Sequence, residues 1–340
     1  MIQSIKIERL RGIREGELND LTPLTILVGG NGSGKSTVLE ALYIGANKSP
    51  AYAIGQSVLR RMDFPGNHRW LIWKEGREGN AVIDIKKPEG GDVICEVGTT
   101  DIFFRLLYSS TPQPQNDKIK FIQFDRNGFG QLQAQMIDAR GGALATTDVV
   151  FNESPSVLLL EPQRTTSREL AITYDDVRKA GGHKELNALL SEVIPNLEVI
   201  EILLGGTEQA PVLHTTFSYK SVPVALAGEG ILHLVHLALK MRIQPDGVVL
   251  IEEPEVHQHY RTMSLIAKVI WAAIRRDIQV ILTTHSLEFI DAIIEEKPED
   301  ISEDKLSLVR TTLINGALIA TSYTGEQVAF ARSQFGEELR

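Results

Sequence analysis

Apolar positions along this chain follow three patterns. At the start, Ile2-Gln3-Ser4-Ile5-Lys6-Ile7-Glu8 alternates apolar and polar residues, as a half-buried strand does, and the Arg11-Gly12 turn leads toward a second strand. Four short apolar runs, Leu24 to Val28, Val157 to Leu160, Val248 to Ile251 and Ile278 to Thr283, read instead as buried strands. Helical spacing marks Thr37 to Leu42, Lys184 to Ile194, Gly230 to Met241 and Tyr260 to Arg275. From Val222 onward strands and helices alternate, which predicts an α/β fold with a parallel sheet flanked by helices.

Between Ser49 and Ser221 the signals weaken. Strand candidates such as Asn80 to Ile85 and Lys118 to Phe124 are separated by turns, among them Pro112-Gln113-Pro114-Gln115-Asn116. No heptad run predicts a coiled-coil arm, and there is no internal repeat or low-complexity tract. The expected organisation is 1–48 as the first part of the principal domain, 49–221 as an intervening lobe, and 222–340 as the second part of that domain.

Composition narrows the classes. The 340 residues suffice for one large or two-lobed α/β unit, and an apolar content of 43% is that of a globular protein. A net charge of −9 gives no global footprint for nucleic acid, so any DNA contact would use a local basic face, such as Arg9, Arg11 and Arg14 or Arg60, Arg61 and Arg69. Both clusters read first as solvated faces. The single cysteine, Cys95, excludes an intramolecular disulfide and suits a reducing compartment. No apolar run reaches the roughly 18 residues that span a bilayer, and the N-terminus lacks a signal-peptide pattern. The expectation is a soluble, cytoplasmic protein with no membrane partner.

Three segments carry chemistry. Gly29-Gly30-Asn31-Gly32-Ser33-Gly34-Lys35-Ser36-Thr37 follows an apolar strand and leads into a helix, in full match to the phosphate-binding loop G-x-x-x-x-G-K-[ST]. Its glycines let successive backbone N–H groups curl around phosphates, Lys35 neutralises the β and γ oxygens, and the Ser36 hydroxyl ligates Mg²⁺. The helix N-terminus adds its dipole to the same anion. ATP with Mg²⁺ is the ligand so predicted. The second segment, Val248 to Glu255, is a buried strand ending in Glu252-Glu253-Pro254-Glu255, where carboxylates emerge at the ligand-binding edge of an open α/β sheet. There Glu252 is the metal candidate, directly or through water, and Glu253 the group that polarises the attacking water. The third, Ile278 to Ser286, delivers His285 to the same edge, within reach of the γ-phosphate or the lytic water. His257 and His259 have the spacing of metal ligands on a strand, but no further ligand completes a tetrahedral site. Phe64, Trp70 and Trp73 read as an aromatic core patch.

Together these segments resemble the ATP-binding-cassette ATPase heads of the SMC, RecF and OLD group. Ile5 to Ile13 resembles that group's opening strand, Asn31 to Ser36 its phosphate loop, Glu252-Glu253-Pro254-Glu255-Val256-His257 its Walker B region, and Thr283-Thr284-His285-Ser286 its switch-histidine segment. The resemblance implies a two-lobed P-loop head with a mainly parallel sheet, helices on both faces and an antiparallel β subdomain. It implies that Arg11 approaches the phosphates, that Glu253 is the catalytic glutamate, and that His285 is the switch histidine. It also implies an ATP-sandwich dimer or higher homo-oligomer, in which Gly228 and Gly230 of Leu226-Ala227-Gly228-Glu229-Gly230 cap a partner's nucleotide. This loop lacks the group's usual serine and resembles the Gly-Glu-Gly variant of OLD-like defence ATPases. Glu252 stands where Asp is more usual, which would shift the metal contact and slow hydrolysis. Gln56, Gln123 and Gln163 remain alternatives for the glutamine that links Mg²⁺ to lobe motion. The stretch after His285 is too short for an OLD-type nuclease, so the expected role is an ATPase scaffold or sensor for a separate effector in bacterial antiphage defence. The alternative is a RecF-like DNA-binding repair or recombination ATPase; a transporter subunit is disfavoured by the Glu-Pro-Glu-Val-His segment.

Overall fold

The computed structural model describes residues 1–47, 53–54, 56–57, 71–73, 80–88, 93–97, 102–108, 119–123, 133–137, 143–148, 157–161, 166–205, 210–243 and 247–335. Gln163, Phe64, Trp70, Arg60, Arg61, Arg69 and the Pro112 to Asn116 turn lie outside them.

The alternating opening segment forms β1 (Ser4–Leu10), paired antiparallel with β2 (Ile13–Leu18) across the Arg11-Gly12 turn. Next come β3 (Leu24–Val28) and α1 (Lys35–Ala46). An antiparallel series extends from β1 through β4 (Ala81–Lys86), β5 (Val93–Val97), β6 (Ile102–Tyr108), β7 (Ile119–Gln123), β8 (Gln133–Ile137) and β9 (Ala143–Asp148). The chain then returns to the other edge of the sheet as β10 (Val157–Leu160). Helices α2 (Ser167–Lys179) and α3 (His183–Val193) precede a separate antiparallel sheet of β11 (Leu197–Gly205), β12 (Ala210–Phe217) and β13 (Lys220–Pro223). The regular C-terminal part comprises α4 (Glu229–Ile243), β14 (Val248–Glu252), α5 (Tyr260–Ile274), β15 (Gln279–Thr283), α6 (Leu287–Glu295), β16 (Leu306–Ile314), β17 (Ala317–Thr324) and α7 (Gly325–Phe335).

Among the described residues the large sheet runs β10-β14-β15-β3-β16-β17-β2-β1-β4-β5-β6-β7-β8-β9. Its first five strands are mutually parallel, the arrangement expected for the nucleotide-bearing half, whereas the far half is antiparallel. Side chains of the central strands alternate between two cores. Leu24, Ile26, Val249, Ile251, Val280 and Leu282 pack with α2 to α6, while Leu27, Val248, Leu250 and Ile281 pack with α1 and β1. Burial on both faces explains why these strands read as unbroken apolar runs. The intervening stretch contributes to this sheet directly, since β4 pairs with β1 and β10 with β14.

The central position of β16 and β17 is not anticipated by the apolar pattern. Their two-residue connection, Asn315 (φ 48°) and Gly316 (φ 79°), has both residues in the left-handed region, as a tight hairpin turn of matching twist requires. β16 then runs parallel beside β3, with Leu306 opposite Leu24 and Arg310 opposite Val28.

Two buried polar devices lock the parts together. Gln279, 2% exposed, accepts from the Ile2 amide at 2.6 Å and donates to the carbonyls of Ile2 at 2.8 Å and Thr22 at 3.2 Å, tying the N-terminus to β15. Arg11 donates twice to the buried Glu40 of α1, at 2.9 and 2.7 Å, and to the Ser57 carbonyl at 3.2 Å. Gln279→Leu leaves backbone groups unpaired in the core and is expected to lower the unfolding free energy by about 2–4 kcal/mol in denaturant titration. Arg11→Met leaves the Glu40 carboxylate buried alone and should cost about 3–5 kcal/mol, most of it recovered in the double variant Arg11→Met/Glu40→Leu. An additive double variant would show that the pair is not coupled.

Candidate functional site

β3 delivers the chain into the phosphate loop, and the loop is shaped by three left-handed glycines: Gly29 (φ 145°), Gly32 (φ 75°) and Gly34 (φ 96°). A Cβ on Gly29 would stand 2.4 Å from the Thr311 carbonyl oxygen, so β16 closes against the loop backbone at a distance only glycine allows. Ser33 shares a 3.1 Å hydrogen bond with Thr311, whose hydroxyl donates to the Val28 carbonyl, so the Ser33 side chain braces the loop from behind. Asn31 and Gly32 are exposed at the rim, and Ser36 and Thr37 are half-buried on the first turn of α1. Lys35 is 5% exposed, its ammonium donating to the carbonyls of Gly29 at 2.8 Å and Gly30 at 3.1 Å. Burial holds its pKa below the ordinary lysine value, against the opposing fields of Glu253, Glu252 and Glu255.

Those carboxylates reach Lys35 because β14, β15 and β3 are adjacent and end together, with Glu252 opposite Thr283 and Thr283 opposite Leu27. Glu252 closes β14 in a half-buried position. Glu253 leaves the strand with φ 45°, a conformation uncommon for a side-chain-bearing residue and concentrated at functional sites. Its amide donates to the Thr283 carbonyl at 3.1 Å and the Thr283 hydroxyl at 3.2 Å, which holds that turn. His285 follows β15 and brings Nε2 to 3.4 Å from the Glu253 carboxylate, both side chains one-third exposed.

Two further residues at this edge carry no role in the sequence reading. Glu255, 7% exposed, accepts from the Thr284 hydroxyl and, at 3.0 Å, from the His285 amide. Burial pushes its carboxyl above the usual range; the hydrogen bonds from Thr284 and His285 oppose this and the charge of Glu253 adds to it. His233 on α4 lies close to the Pro254 backbone, and burial depresses its pKa. The E-P-E spacing was the available signal for Glu255; nothing local marks His233, whose neighbour lies on another element.

The remaining expected residues are placed differently. Arg11, expected to approach the phosphates, donates to Glu40 and the Ser57 carbonyl, a pairing that braces α1. Gly228 (φ 108°) and Gly230 lie at the N-terminus of α4, where Gly230 faces Gln258 and Thr262 of the loop and first turn leading into α5. The phosphate-loop glycines face Thr311, Leu318 and Ile13 instead, so the two glycine loops have separate surroundings. Gln123 sits in β7, eight strand positions from β3 and thus roughly 40 Å away at ordinary strand spacing. Gln56 adjoins Ser57, the residue whose carbonyl meets Arg11. His259 caps α5, its Nδ1 accepting from the Arg261 amide, and His257 is exposed. Among the described residues no cluster of His, Cys, Asp and Glu has metal-holding geometry without further donors, and no helix is long and apolar enough to cross a membrane.

Known proteins match both parts of this site. Residues 1–135, with the phosphate loop, match the family described as AAA ATPase domain. Residues 148–291, with the acidic strand end and His285, match the family described as AAA domain, putative AbiEii toxin, Type IV TA system. An ATP/GTP phosphatase of Helicobacter pylori is 22% identical over 87% of this chain and 89% of its own length. The uncharacterized protein MJECL11 of Methanocaldococcus jannaschii is 31% identical over 33% of this chain and 98% of its own length. Among solved structures, an SMC head bound to the C-winged helix domain of ScpA superposes with a TM-score of 0.57 at 13% identity, over 96% of this chain and 98% of that one. An SMC head with an extended coiled coil, bound to a ScpA domain from Pyrococcus furiosus, gives 0.52 at 11% identity over 99% of each chain. Two AAA-domain families thus match separate parts of the chain, and its fold is that of an SMC-head P-loop ATPase.

Proposed function

We propose that this chain binds ATP with Mg²⁺, hydrolyses it to ADP and phosphate, and uses its nucleotide state to hold or release a separate effector protein in antiphage defence. The observation that carries the hydrolytic reading is the 3.4 Å approach of His285 Nε2 to the Glu253 carboxylate, at the strand edge whose charges act on Lys35. The phosphate-loop amides and Lys35 position the β and γ phosphates. Ser36 and Glu252 are the residues that would hold Mg²⁺: a hydroxyl and a carboxylate are hard oxygen donors, and they stand at the head of α1 and the end of β14. The ion, when bound, neutralises charge developing between the phosphates. Glu253 accepts the proton of the attacking water, and His285 orients that carboxylate and reaches toward the γ-phosphate.

The exposed Gly228 and the N-terminus of α4 support a second copy as the source of the capping loop, since a free helix N-terminus with a left-handed glycine favours an anion. The scaffold reading draws support from the toxin–antitoxin description of one matched family and from the two SMC heads that carry a ScpA domain.

Lys35→Ala should abolish ATP binding in calorimetry, and an unchanged affinity would refute the phosphate-loop assignment. Glu253→Gln should keep the parent's ATP affinity, lose about 10²- to 10⁴-fold in turnover, and accumulate as a dimer in light scattering with ATP. Near-parent turnover would move the catalytic role elsewhere. Purified from its host with ATP and Mg²⁺, the same variant is expected to carry a stoichiometric protein without nucleic acid; a bare dimer holding DNA would favour a repair ATPase.

A further inference from the structure

Glu255 is buried within the site, is titratable, and takes no part in the chemistry above. Its backbone follows β14, yet both hydrogen bonds to its Oε1 come from the segment after β15: the Thr284 hydroxyl and the His285 amide. Thr284 is fully buried, and its oxygen also accepts from the Ser286 amide at 3.0 Å. Ser286 in turn caps α6, its hydroxyl accepting from the Phe289 amide at 3.1 Å. One carboxylate therefore anchors a hydrogen-bonded chain running through the whole connection from β15 to α6. The Glu253 amide makes the second tie between the two strand ends, on Thr283. With both ties made, Glu253 and His285 face each other at 3.4 Å. Among the described residues the other oxygen, Oε2, is buried without a hydrogen-bond partner.

We propose that Glu255 is a positioning residue of this site: by accepting from Thr284 and His285 it fixes the segment that presents the His285 imidazole to Glu253. The functional half of this inference rests on the ATPase reading above; the structural half does not. Glu255 itself touches neither reacting phosphate nor water in this role. What is required at position 255 is an acceptor oxygen in place, and its negative charge is dispensable. Glutamine keeps such an oxygen and alanine removes it. Misplacing a catalytic group by about 1 Å costs on the order of 10²-fold in rate while binding groups elsewhere are untouched, so the loss should fall on kcat.

The test compares parent, Glu255→Gln, Glu255→Ala and Thr284→Val in ATP turnover, in ATP affinity by calorimetry, and in exchange of the His285 amide followed by NMR. Expected are a fall of about tenfold to a hundredfold in kcat for Glu255→Ala with unchanged ATP affinity, and recovery of most turnover in Glu255→Gln. Thr284→Val should shift kcat in the same direction, and the loss in the double variant Glu255→Ala/Thr284→Val should fall short of the sum of the two single losses, because they share the Thr284–Glu255 contact. The His285 amide should exchange faster in Glu255→Ala and stay protected in Glu255→Gln. Parent-like turnover in a folded Glu255→Ala protein overturns the proposal. So does a Glu255→Gln protein as slow as Glu255→Ala, which would mean that the charge matters, or an unchanged exchange rate in Glu255→Ala. If the parent itself fails to hydrolyse ATP, the ATPase reading falls, and the exchange measurement alone decides whether Glu255 holds the His285 segment.

Discussion

The register of β3, β14 and β15 is the constraint on which the rest of the site depends. All three are buried on both faces, so their side chains alternate between two apolar cores, and a one-residue slip would exchange every side chain between the helix layers on either side. Inside such strands a polar group has no cheap place, and chemistry can appear only where they end. Because Glu252, Thr283 and Leu27 lie side by side, the phosphate loop, the acidic turn and His285 emerge at one edge. The burial that holds the sheet together thereby assembles the polar site.

A second layer of contacts converts that proximity into geometry. Ser33 and Thr311 hold the phosphate loop to β16, Glu253 is fastened by its amide to Thr283, and Glu255 fastens the next segment through Thr284 and His285. Arg11 and Glu40 brace α1, the helix that begins at Lys35. The shortest of these pairings in sequence spans about thirty residues and the longest nearly the whole chain. Each uses a buried or half-buried polar group whose partner must be in place, which makes the edge sensitive to small displacements. Lys35 shows the balance: burial disfavours its charge, and the carboxylates facing it offset that only in part.

α4 connects the two ends of the arrangement. Its N-terminus carries the open Gly228 and sets Gly230 against the start of α5, and one turn further His233 lies close to the backbone of Pro254, the residue after Glu253. The helix whose exposed end is suited to an anion thus also touches the turn that presents the expected catalytic carboxylate. The phosphate loop packs elsewhere, against β16, β17 and the start of β2, so the two glycine loops belong to different surroundings of one fold.

Much of the parallel half of the sheet was legible in the residues themselves. The runs at 24–28, 157–160 and 248–251 are unmistakable because burial on both faces leaves no polar interruption, and the helices at 184–194 and 260–275 keep their period. The phosphate loop, Glu252-Glu253 and His285 were readable because each combines a strand end with a residue type chosen for chemistry. Strand order, the insertion of the β16–β17 hairpin beside β3, and the pairing of Arg11 with Glu40 were not, since nothing within a strand names its neighbour. His233 was silent for the same reason, and the E-P-E spacing placed Glu255 at the edge without saying which distant amide it holds. Local pattern determined which segments are strands and which residues stand at their ends; only tertiary packing decided which ends meet, because pairing energy comes from partners far apart along the chain.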